Sequence, residues 1–126
     1  MSIKIINDLS NVITDDRNNN YANFEIINND YGVYIFKEKD TSKILYIGEA
    51  KRQTLKERII QNFKENDTGG TFRKNYIERE NTNFNDFKNL IKTTEIITIV
   101  CPKNIIISAL EAILINVLKP NYNKDT

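Results

Sequence analysis

Two tyrosines open the chemical reading of this chain. Tyr34 and Tyr46 stand near the middle of two β-branched and aromatic runs, 31–36 and 44–48, with Gly32 two positions before the first and Gly48 two positions after the second. A phenol, with an ordinary pKa near 10, does proton chemistry near neutrality only where its surroundings favour the phenolate. A glycine inside or ending a strand marks close approach of a backbone or a ligand. The same pattern also fits two core tyrosines on a sheet with satisfied hydroxyls. Arg58 borders an apolar helical stripe, where its guanidinium can fork onto a phosphate or simply snorkel from the helix edge. Glu111 is the only charged residue between Ile105 and Leu118. Ionised carboxylates are costly to bury unless paired or metal-bound, so a metal ligand accounts for its position; so does a narrow solvent-facing stripe of Asn104, Ser108 and Glu111. Finally, Lys51 and Arg52, with Lys56, Arg58, Arg73 and Lys74, flank a Gly69-Gly70 turn, and basic side chains beside backbone donors suit phosphates.

What the chain lacks narrows the choice further. There is no histidine, and Cys101 is the single cysteine, which excludes imidazole-based general-base chemistry, an internal disulfide framework and a Cys/His zinc site. Any catalysis must run on Tyr, Lys, Arg, Glu, Asp, Asn or an oxygen-ligated metal. The net charge of +1 conceals an asymmetry: residues 1–31 carry net −3, residues 32–79 carry eleven basic against seven acidic side chains, and the remainder is balanced. An anionic partner therefore belongs with the middle third. The first ten residues lack the basic and apolar regions of a signal peptide, and the run 105–118 is about a turn short of a membrane span and holds a carboxylate. The chain reads as cytoplasmic, with no membrane partner.

These residues need elements to hold them, and 126 residues suffice for one core. Short apolar pieces at 3–6 and 24–27 could each be an edge strand, around a loop-like 15–20. The runs 31–36 and 44–48 suggest an antiparallel hairpin. Thr54 with Glu57 has capping-box spacing, and Leu55, Ile59 and Phe63 recur at i, i+4, i+8, so an amphipathic helix is expected over 55–66, ended by 67–70. Segments 71–80 and 84–91 are weaker helix candidates, 95–100 a third strand and 104–118 a last helix stopped by Pro120. The fold class is α+β: a small three-stranded antiparallel sheet flanked by helices.

The order Gly32-Val33-Tyr34, Tyr46-Ile47-Gly48, Arg58, Glu111 and Asn123 resembles the GIY-YIG nuclease family. The eleven-residue gap between the tyrosines, the arginine ten residues after Gly48, and the tail Pro120-Asn121-Tyr122-Asn123 carry the match. It divides the chain into an N-terminal extension or arm, 1–30, for substrate contact or dimerisation, and a catalytic domain, 31–126. The resemblance implies hydrolysis of DNA phosphodiesters with one divalent metal, Mg²⁺ or Mn²⁺. Glu111 would hold the metal and Arg58 clamp the scissile phosphate. Tyr34 would act as base and Tyr46 orient the water, while Asn123 braces the site. Lys51, Arg52, Arg73 and Lys74 would bind DNA, and Gly32, Gly48 and Asn62 support the site. Where many members have a histidine one turn after the arginine, this chain has Asn62. Where some have lysine after the second motif, it has Glu49, read as an exposed loop carboxylate. One site per chain implies a nick, or a homodimer for cutting both strands. The alternative is a catalytically degenerate module of the same fold that binds nucleic acid or a protein partner.

Overall fold

A computed structural model describes residues 2–7, 9, 30–102 and 104–123. In chain order the elements are β1 (Ser2–Ile6), β2 (Gly32–Glu38), β3 (Ile44–Ala50), α1 (Leu55–Gln61), α2 (Thr71–Arg79), α3 (Phe84–Lys92), β4 (Thr94–Val100) and α4 (Asn104–Leu118). All strand pairs are antiparallel, in the order β1-β4-β2-β3. The sheet thus has four strands, not the three expected. Ile3–Ile6 forms an edge strand against β4, with Ile3 opposite Ile99 and Ile5 opposite Ile97, and so occupies backbone donors and acceptors that a three-strand sheet would leave open on β4. The other apolar piece, 24–27, and the loop at 15–20 lie outside the described residues.

Alternation along the strands sorts side chains onto two faces. Tyr34, Phe36 and Tyr46 look toward α1, α2 and α3, where Leu55, Ile59, Phe63, Phe72, Phe87 and Ile91 complete one core. Val33, Ile35 and Ile47 look the other way and pack with Ile107, Leu110, Leu114 and Ile115 of α4. The sheet is therefore sandwiched on both faces, and its β3 edge is where α1 and α4 both come near.

The Thr54–Glu57 capping box forms in both directions, and Leu55, Ile59 and Phe63 are all fully buried. Yet α1 ends at Gln61, shorter than the expected 55–66. Two interactions stop it. Asn62 takes the C-cap, its Oδ1 accepting from the backbone N of Arg73 at 3.2 Å. The Arg73 guanidinium then donates to the carbonyls of Gln61 (2.8 Å), Lys64 and Asp67. Carbonyls held by a charged fork need no further helical turn. At the far end, α4 leaves through Lys119, at φ 48°, into Pro120, as the proline leads one to expect.

Candidate active site

Tyr34 on β2 lies directly opposite Gly48 on β3. A Cβ on residue 48 would stand 2.3 Å from the Tyr34 hydroxyl and from its ring, so the ring lies over β3 only because position 48 has no side chain. Gly32 answers to a second close approach: a Cβ there would meet the Ile99 carbonyl oxygen at 1.9 Å. Tyr46 stacks on Phe72 at 5.4 Å and sits 6.2 Å from the Tyr34 ring. Both phenols are deeply buried, Tyr34 at 1% and Tyr46 at 7% exposure, as core tyrosines on a sheet would be.

Burial pushes the Tyr34 hydroxyl well above the usual phenol range, helped by Tyr46 and Glu111, while Arg58, which also donates a hydrogen bond to it, pulls it back. Tyr46 is raised chiefly by burial too; Arg58 and a hydrogen bond with Thr71 oppose this, and Glu111 and Glu49 add to it. Each phenol thus senses Arg58 from α1 and Glu111 from α4. Residues from four elements converge at the β3 edge, a result that the sequence separation of 77 positions between Tyr34 and Glu111 conceals.

Glu111 is half-buried. Loss of hydration and then the neighbouring Glu49 carboxylate push it up to about 7, against the pull of Lys51 and Arg58. The stripe of Ser108 and Glu111 exists as expected, but it faces Glu49 and Lys51: the Lys51 ammonium donates to Ser108 Oγ at 2.8 Å and pairs with Glu49 at 3.2 Å. Glu49 is no exposed loop carboxylate. It sits in β3 with its side chain 29% exposed. A cleft of about 520 Å³ opens here, lined by Glu49, Lys51, Arg52, Gln53 and Arg58. Gln61 receives a hydrogen bond from Arg58 at 3.0 Å and holds that guanidinium on the helix border.

Asn123 meets Ile47, between Tyr46 and Gly48, with both ends of its amide: Oδ1 accepts from Ile47 N at 2.9 Å and Nδ2 donates to Ile47 O at 2.8 Å. Asn75 donates to the Tyr122 carbonyl at 2.8 Å, and Arg79 donates to the carbonyls of Asn121 and Asn123. Asn75, Arg79, Thr71 and Gln61 were missed in the sequence, and Ser108 was read there only as part of a solvent-facing stripe with Glu111. Of these only Ser108 had a signal, its spacing of one helical turn from Glu111.

Two of the four expected DNA-binding residues are elsewhere. Arg73 is 3% exposed, with its guanidinium committed to the carbonyls of Gln61, Lys64 and Asp67; it is a staple between the end of α1 and α2, and a buried fork turned onto carbonyls offers little surface to a phosphate. Lys74 is exposed and donates to the Thr68 carbonyl at 2.9 Å. Both line a separate depression rather than the Arg58 cleft. Asn62 is fully buried at the C-cap, with Nδ2 lacking a partner among the described residues.

Among the described residues no three His, Cys, Asp or Glu side chains gather as a metal centre. Two carboxylates and a hydroxyl do meet, on Glu49, Glu111 and Ser108. That donor set fits a hard divalent ion such as Mg²⁺, which commonly takes one or two carboxylates and keeps several waters. No helix among the described residues is long and apolar enough to cross a membrane. No curated protein matches the chain. A family model described as GIY-YIG catalytic domain matches residues 12–78, a span that includes both tyrosines and Arg58 and ends before Glu111.

Proposed function

Because the chain belongs to the GIY-YIG catalytic domain family, we propose that it is a metal-dependent DNA endonuclease hydrolysing phosphodiester bonds at the β3 edge. The observation that carries this reading is the meeting of Tyr34, Tyr46, Arg58 and Glu111, from β2, β3, α1 and α4, in one electrostatic neighbourhood.

Phosphodiester hydrolysis needs an in-line water, a cation against developing negative charge, and a base. Glu111 would hold Mg²⁺ or Mn²⁺, which supplies charge against the non-bridging oxygens. Arg58, steadied by Gln61, would clamp the scissile phosphate bidentately. Tyr34 is the proposed base; burial keeps its hydroxyl protonated and Arg58, donating to it, opposes that, so a divalent cation at Glu111 would have to supply the further positive charge that the phenolate needs. Tyr46, tied to Thr71, would orient the attacking water. Gly32 and Gly48 let the strands and the Tyr34 ring approach, and Asn123 braces β3 at Ile47. Lys51 and Arg52, at the cleft, would take the flanking phosphates.

Residues 1–30 are read as an arm whose first strand joins the sheet, and 31–126 as the catalytic domain, in a cytoplasmic protein. One site per chain cuts one strand, so a double-strand cut calls for a homodimer.

The test is nicking of supercoiled plasmid with Mg²⁺, Mn²⁺ or chelator, beside Glu111→Ala and Tyr34→Phe. Metal-dependent nicking lost in both variants by at least about a hundredfold is expected. Salt-sensitive binding without cutting by the parent chain would instead identify a degenerate binding module, with Asn62 as the first position to restore.

A further inference from the structure

Building on the nuclease reading, which sets a divalent cation at Glu111, we propose that Glu49 is a second carboxylate ligand of that cation, so that the ion is held between β3 and α4. Glu49 stands opposite Val33 and shares with Ile47 the sheet face that α4 covers. A carboxylate among Val33, Ile35 and Ile47 loses hydration that something must restore. What it meets there is largely other polar side chains: its Oε1 lies 3.2 Å from the Lys51 ammonium, its Oε2 3.5 Å from Ser108 Oγ, and it is in hydrogen-bond reach of Glu111.

Glu111 and Ser108 are one helical turn apart and face the same way. Glu49 and Lys51 are two apart on one strand end, and face the same way by the period of two. Two elements therefore aim their polar side chains at one point, two acceptors from α4 and an acceptor and an ammonium from the end of β3. Two touching carboxylates repel unless they share a proton or a positive charge lies between or beside them. Without metal, Lys51 supplies that charge, and its 2.8 Å bond to Ser108 Oγ holds it there. A divalent ion would supply more charge at the same place and release the ammonium toward the cleft, where a phosphate would lie.

A lysine at 49 would leave Glu111 as the lone carboxylate, with Lys51 redundant; glutamate at 49 turns the pair into a chelate. Two carboxylates with the remaining positions left to water and phosphate is a coordination that Mg²⁺ and Mn²⁺ accept.

The experiment measures Mn²⁺ binding to the full chain in the absence of DNA, by calorimetry and by loss of the free-ion electron paramagnetic resonance signal. The parent is compared with Glu49→Gln, Glu111→Gln and Lys51→Met, each first checked in chelator for cooperative unfolding. Glu111→Gln should abolish saturable binding, and Glu49→Gln should weaken it about tenfold or more. Lys51→Met should tighten it, by removing the competing ammonium; this second variant keeps the test alive should Glu49→Gln not fold. Glu49→Gln or Lys51→Met at parental affinity, with Glu111→Gln inactive in binding, would overturn the role of Glu49 and leave the nuclease reading standing. Unchanged binding in Glu111→Gln would overturn the cation site itself, and with it both proposals.

Discussion

Position 48 decides where the Tyr34 hydroxyl can be. With a Cβ there 2.3 Å from the phenol oxygen and ring, the ring must leave or the strands must part. Gly48→Ala is therefore expected to lower cutting by about a hundredfold or more, with a fall in melting temperature, measured in the plasmid assay and by calorimetry. Glu111 carries a different signature, one of pH. Its carboxyl is raised to about 7 by burial and by Glu49, above the ordinary carboxylate value, so the folded state binds more protons than the unfolded chain between those two values. Unfolding free energy must then fall as pH rises through that window. In chelator, the denaturation midpoint of the parent should drop between about pH 4.5 and 7, and Glu111→Gln should flatten that slope. A slope of opposite sign would mean the carboxylate is paired rather than desolvated.

Among the elements, the helix α1 is the instructive one. Its start was legible, because a capping box is local chemistry written in four consecutive positions. Its end was not. The apolar spacing of Leu55, Ile59 and Phe63 continues past Gln61, and all three are buried, but the carbonyls of that last turn are taken by Arg73 from another helix. Long-range capture of this kind leaves no periodic trace in sequence. It also reassigns Arg73 from substrate contact to architecture. Arg73→Met should cost roughly 3 kcal/mol of stability, since charged hydrogen bonds to buried carbonyls are lost and the carbonyls orphaned; urea denaturation of the variant measures it. The strands were legible from β-branched and aromatic runs, and the α4 helix from its apolar run and the Pro120 that stops it. The fourth strand was half-legible, as an apolar piece with no stated neighbour, because pairing partners 94 positions apart are not written locally. For the candidate site, motif spacing singled out Tyr34, Tyr46, Arg58 and Glu111, which the fold brings near one another. The helpers Thr71, Gln61 and Asn75 came only with the fold, being common polar residues without a distinguishing interval.

On the scale of the whole molecule, a net charge of +1 hides a basic middle third, and the fold divides even that. Lys51, Arg52 and Arg58 line the cleft, while Arg73 and Lys74 border a separate depression. Attraction for a polyanion should therefore come from few contacts. Arg52→Ala is expected to weaken DNA binding at every sequence and to reduce the slope of log affinity against log salt by about 1, whereas Lys74→Ala should leave the slope unchanged; fluorescence anisotropy across a salt series reads both. One further property of the whole follows from the chain's last described residues. β3 is the outer strand of the sheet, yet its free edge is occupied: Asn121 N donates to Ile44 O, Tyr122 N to Leu45 O, and the Asn123 amide exchanges both bonds with Ile47. Three residues imitate a fifth strand along the first half of β3, from Ile44 to Ile47. A chain clipped before them would present a bare Ile-Leu-Tyr-Ile edge to its own copies, a template for stacking into aggregates. The same short tail that braces β3 beside the candidate site is thus a guard against self-association, and its removal is expected to lower solubility first.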